Sequence, residues 1–95
     1  MTRQELVCKM VEKMISDIEL VKKKNADYSS DTDALENFRD FGARGIVVRL
    51  GDKYHRLKTF ATTGQYAVKE EGFTDTLRDI RIYSYLADIM FENEK

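Results

Sequence analysis

An all-α fold is what this sequence predicts: a helical bundle of three long helices and one short helix, completed by oligomerisation. Three observations carry the prediction. The 95 residues include no proline and only five glycines, which permits long uninterrupted helices and disfavours a turn-rich β fold. Apolar residues recur at i, i+3, i+4, i+7 through three long stretches. A single domain of this size buries only about 60–65% of its unfolded surface, and its last helix carries more apolar circumference than one small subunit can cover.

The first helix is expected over residues 3–24. Leu6, Val7, Met10, Val11, Met14, Ile18 and Val21 form its apolar stripe, with lysines and glutamates opposite. Lys22, Lys23 and Lys24 suit the negative end of the helix dipole. Asn25, tolerant of the left-handed conformation, is expected to end it. The methionines read as core rather than as a cofactor box. Cys8, the one cysteine, cannot form an internal disulfide and reads as a buried thiol within the stripe.

The loop "NADYSSDTD" is dense in capping and turn residues. Asp33 followed by Glu36 then starts a short helix over 33–41, with Leu35, Phe38 and Phe41 inward and Gly42 closing it. A long helix runs from Ala43 to Thr62 and ends at Gly64. On a 100° wheel Ile46, Leu50, Tyr54, Leu57 and Ala61 share its inward side. "GQYAVKEEGF" is the second loop, and Thr74 or a neighbour caps the last helix, which runs to about Phe91. Leu77, Ile80, Tyr83, Ala87 and Met90 mark one apolar face of it, and Ile82, Leu86 and Ile89 a second. No repeat, low-complexity tract or domain boundary interrupts the chain.

Composition narrows the function classes. A net charge of −1 gives no global basic field, so general duplex nucleic-acid binding is not expected. No apolar run approaches the roughly 18 residues of a membrane span, and no signal peptide opens the chain, so no membrane partner and a cytoplasmic, reducing setting are expected. The single histidine, His55, projects away from the charged positions of its helix and reads as a surface residue. Neither a catalytic triad nor a zinc site has its residues here.

Charge in apolar surroundings is the informative feature. Arg49, Asp52, Lys53 and Arg56 line up at i, i+3, i+4, i+7 beside the inward face of the long helix. They make either a salt-bridge ladder or a site in which cations meet phosphates and Asp52 faces a metal. Asp75 and Asp79, one turn apart, continue the second apolar face of the last helix. Two carboxylates there need a cation, a proton or a basic partner such as Arg49 or Arg56. Mg²⁺ is one candidate, since it prefers oxygen ligands and substrate phosphates, and Glu70 and Glu71 lie just upstream.

The stretches "KKNADY" (23–28), "ENF" (36–38), "RLGDKYHRLK" (49–58) and "VKEEGFTDTLRDIRIY" (68–83) resemble the nucleotide modification associated domain family of phages and bacteria. That family is similar to the all-α nucleoside triphosphate pyrophosphohydrolases, the MazG-like and dimeric dUTPase proteins. The resemblance spans about residues 7–90. It implies an oligomeric helical bundle, a dimer or tetramer, in which acidic residues on two helices hold Mg²⁺ against a triphosphate and activate water. Carried over by position, Asp52, Glu71, Asp75 and Asp79 would be the metal ligands and catalytic carboxylates. Arg49, Lys53 and Arg56 would meet phosphates, and Asn25, Asp27 and Tyr28 would shape the nucleoside end, with Tyr28 stacking on a base. The sequence departs from those patterns in two respects. The pyrophosphohydrolases carry an E-x-x-E type pair where only Asp52 stands here, and the nearer family has a serine at Gly72 and often an asparagine at Ile82.

Two functions follow as expectations. One is Mg²⁺-dependent, pyrophosphohydrolase-like cleavage of a nucleotide or modified nucleotide. The other is non-catalytic nucleotide binding or sequestration by an oligomer, in a phage-infected bacterial cell if the chain is phage-encoded. A purely structural helical oligomer is the third possibility. Four carboxylates around one metal would favour cleavage, and salt-bridged aspartates would favour binding.

Overall fold

Thr2 opens the first helix with a reciprocal capping box. Its hydroxyl accepts from the Glu5 amide at 3.1 Å, and the Glu5 carboxylate accepts from the Thr2 amide at 3.1 Å, so two of the orphan amides of the first turn are satisfied. The computed structural model describes residues 1–30, 32–64 and 69–94, without the side chains of Tyr28, Lys69, Glu70 and Glu71. It consists of α1 (Arg3–Tyr28), a single 3₁₀ turn (Glu36–Phe38), α2 (Gly42–Thr63) and α3 (Lys69–Glu94). Among the described residues there is no strand, only an isolated bridge between Ser30 and Asp33, and the all-α expectation holds. Two compact units divide the chain, Met1–Glu36 and Asn37–Lys95.

In the first unit α1 runs four residues beyond the expected stop. Asn25 stays helical, and no described residue other than glycine has a positive φ. The Asn25 side-chain amide instead donates to the Ala34 carbonyl at 2.8 Å and ties the following loop back to the helix. Ser29 ends α1 in an extended conformation, its amide bonded to the Asn25 carbonyl at 2.8 Å. Cys8 is exposed, which corrects the buried-thiol expectation. The stripe to which it belongs is exposed as well.

The short helix expected over 33–41 is only the 3₁₀ turn. Ser30 organises the start of the segment, its carbonyl and hydroxyl both accepting from the Asp33 amide at 3.2 and 3.1 Å, and the Asp33 carbonyl accepts from the Glu36 amide at 3.2 Å. Nine residues are too few for a helix to persist without a packed face, since isolated helices under about 12 residues are marginal in water. Leu35 and Phe38 are half-buried, but Phe41 is 74% exposed and not inward. Gly42 does mark the break, as the first residue of α2 with φ +62°.

The second unit is an antiparallel hairpin of α2 and α3. Near its closed end the rings of Phe60 and Phe73 pack 4.8 Å apart between centroids, tilted by 34°. At the open end the Glu94 carboxylate accepts from the Ala43 amide at 2.9 Å. The latter contact caps α2 from a distance, because its own N-cap residue, Phe41, offers no side-chain acceptor. Gly64 ends α2 as expected, with φ +72° and its amide on the Phe60 carbonyl at 2.7 Å.

The inward face of α2 differs from the wheel. Its buried and half-buried side chains are Ala43, Ile46, Leu50, Lys53, Leu57 and Phe60, spaced 3-4-3-4-3. Tyr54 and Ala61, expected inward, are exposed. On α3 the matching series is Phe73, Thr76, Ile80, Tyr83, Ala87 and Met90, all buried or half-buried. On the same wheel the predicted set is centred about 30° to one side of the observed one, which is enough to bring in Tyr54 and Ala61 at one margin and to leave out Lys53 and Phe60 at the other. The core is thin: Ile46 and Met90, each 2% exposed, are its best-buried large side chains. Thr76 is accommodated in the seam because its hydroxyl donates to the Gly72 carbonyl at 2.6 Å. The last helix starts at Lys69, ahead of the Thr74 start that its polar residues suggest. Residues 65–68 of the expected second loop lie outside the described chain.

Candidate functional site

The α2–α3 register explains why a cation sits among aliphatic residues. Lys53 occupies a seam position, between Leu50 and Leu57, and stepping out from the Phe60–Phe73 pair sets it opposite Ile80. Asp79, the neighbour of Ile80, lies at the edge of the seam. The Lys53 ammonium meets Asp79 Oδ2 at 2.9 Å, with the two side chains 19% and 30% exposed. A lysine stem can line an apolar seam while its head reaches the rim. The carboxylate there offsets the desolvation of the ammonium.

Asp75 has a different partner. Arg78, one turn further along α3, donates from Nη2 to Asp75 Oδ1 at 2.9 Å. The expectation that both aspartates are reached from the α2 charges therefore holds for Asp79 through Lys53, while Asp75 is matched within its own helix. Arg78 was not expected as a partner, although its i, i+3 spacing from Asp75 is a readable signal. Its Nε is buried without a hydrogen-bond partner among the described residues.

The remaining α2 charges face outward. Arg49, Asp52 and Arg56 are exposed, and among the described residues no ion pair joins them into the ladder that their spacing allows. His55 is exposed, as expected, with its ring 6.5 Å from that of Tyr54. The long helix thus offers two exposed guanidinium groups, one turn to either side of a half-buried ammonium. Asn25 and Asp27 belong to the first unit. Asn25 is half-buried and engaged with Ala34, Asp27 is exposed, and the side chain of Tyr28 lies outside the described residues.

In this arrangement Asp79 pairs with Lys53 and Asp75 with Arg78. Among the described residues no three acidic, histidine or cysteine side chains gather into a group able to hold a metal. Glu71, the fourth expected ligand, has its side chain outside the described residues. No helix among them is long and apolar enough to cross a membrane. Comparison with protein-family models, curated proteins and solved structures finds no match to this chain.

Proposed function

We propose that this chain handles nucleotides, as its resemblance to the nucleotide modification associated domain family implies, and that it does so by binding them rather than by cleaving them. The observation that supports binding is the Lys53–Asp79 pair. A carboxylate matched to an ammonium at 2.9 Å is poorly placed to be a metal ligand, and the ammonium is the kind of group that phosphate oxygens recruit. Exposed Arg49 and Arg56 flank it on the same helix and add charge-assisted donors. In this reading phosphate competes with Asp79 for Lys53, and the binding form is a homo-oligomer, a dimer or tetramer.

Mg²⁺-dependent pyrophosphohydrolase-like cleavage is the second reading, favoured by one observation. Because α3 begins at Lys69, positions 71, 75 and 79 fall at i, i+4, i+8 on one edge of a single helix. Calorimetric titration with a panel of nucleoside mono-, di- and triphosphates, in chelator and then in Mg²⁺, tests the binding proposal when run beside a pyrophosphate-release assay. Binding in chelator that weakens about tenfold or more in Lys53→Met supports it, that being the scale of one charge-assisted hydrogen bond. Release of pyrophosphate in Mg²⁺ that disappears in Asp79→Asn establishes cleavage instead. A protein that neither binds nor turns over any member of the panel is not a nucleotide-handling protein.

A further inference from the structure

We infer that Asp79 is an internal competitor that decides which anion enters the phosphate site. It holds Lys53 until a ligand with two linked phosphoryl groups displaces it, and it turns away single phosphates and carboxylates. This role rests on the phosphate-binding reading above, and it stands on the α2–α3 hairpin alone. On a 100° wheel Arg49 and Arg56 lie about 40° and 60° from Lys53, both rotated in the same sense. Asp79 lies about 100° from Ile80, again in that sense. Antiparallel helices that face one another bring equal senses of rotation to the same edge of their seam. Arg49, Lys53, Arg56 and Asp79 therefore share one edge, which the Lys53–Asp79 contact at 2.9 Å marks.

Charge and spacing then select the ligand. Counted from the Phe60–Phe73 pair, Asp79 falls level with position 54, between Arg49 and Arg56. It is the carboxylate set within the cationic row. Asp75, further along that edge of α3, is matched by Arg78 at 2.9 Å. Asp52 lies beyond the arginines, about 100° from Lys53. A single phosphate or a carboxylate that takes the ammonium exchanges one charge-assisted contact for another. It is then left beside the released Asp79 charge, which repels it. A ligand with two linked phosphoryl groups gains more than it displaces. One group takes Lys53, and the other meets Arg56 at a rise of about 4.5 Å along α2. Among the described residues no carboxylate pairs with Arg56, so this second contact, open to bidentate geometry, displaces nothing.

The test is calorimetric titration, in chelator, of wild type, Asp79→Asn and Asp79→Glu with inorganic phosphate, pyrophosphate, and nucleoside mono- and diphosphates. Circular dichroism checks the fold of each variant. Wild type should prefer each diphosphate to the matching monophosphate by about tenfold or more, the scale of one charge-assisted contact. Asp79→Asn should bind the monophosphates about tenfold more tightly and lose most of that preference, and Asp79→Glu should restore it. In wild type the carboxyl carbon resonance of Asp79 should shift as a diphosphate binds, a readout that needs no variant. A wild type without the preference overturns this role of Asp79. So do Asp79→Asn affinities that are unchanged or weaker, or diphosphate binding that leaves the Asp79 resonance in place. Each of these results leaves nucleotide binding by the chain standing. If neither wild type nor Asp79→Asn binds any of the anions, the nucleotide reading falls and this role falls with it.

Discussion

Lys53 and Asp79 form a cross-helix ion pair at 2.9 Å, at the edge of an otherwise apolar seam between α2 and α3. The pair is half-buried, so neither limiting case applies. Exposed pairs contribute about 0–1 kcal/mol, and breaking a fully buried pair costs about 3–5 kcal/mol.

Asp79→Asn leaves the ammonium in the seam without its counter-charge and should lower stability by about 1–2 kcal/mol, between those limits. Lys53→Met, which completes the seam with a flexible apolar side chain, should be neutral or stabilising. In the double variant the cost of Asp79→Asn should largely vanish, since the stranded cation is gone. Urea unfolding of the four proteins measures this cycle. Equal costs of Asp79→Asn with and without Lys53 would show that the pair is not coupled.

Glu94 should matter to a helix about 50 residues before it. Its carboxylate accepts from the Ala43 amide at 2.9 Å, where α2 has no side-chain cap of its own. Glu94→Ala should cost about 0.5–2 kcal/mol, as the loss of an N-cap does. Faster hydrogen exchange should appear in the first turn of α2, with the middle of that helix unchanged. Unaltered exchange at Ala43 would mean that this cap does not form in solution.

Two glycines of α2 and its cap should respond with opposite sign. Gly64 takes φ +72°, so Gly64→Ala strains the backbone and should destabilise by about 1 kcal/mol. Gly51 lies within the helix, and an added Cβ there meets nothing within 4 Å. Gly51→Ala should therefore raise stability by about 0.5–1 kcal/mol. Thermal melts of both variants decide it, and a shift of the same sign in both would contradict the assignment.

Within the candidate site, the sequence showed that Asp79 needed a complement, because it continues an apolar face, whereas the same expectation for the α2 charges holds for Lys53 and not for exposed Arg49, Asp52 and Arg56. It could not show that Lys53 alone would reach across. Arg49 and Arg56 are longer and equally spaced, but the side of the seam on which each falls depends on how the helices meet. Asp75 went to Arg78, a local partner visible in the spacing, so the second aspartate was in principle readable.

Local chemistry determined most of the secondary structure before any packing. Gly64 had to end α2, because a left-handed residue closes a helix at least cost in glycine. The apolar period made α1, α2 and α3 helical, since one face of each repeats at helical spacing. Tertiary structure decided what lay between alternatives of similar local energy. Asn25 could stop α1 or stay within it, and the bond from its amide to Ala34 came with the second choice. Residues 33–41 had the pattern of a helix, but so short a segment forms one only if something packs on it. Whether Lys53 or Tyr54 faces inward turned on where the buried arc of α2 is centred, and only contact between α2 and α3 sets that phase.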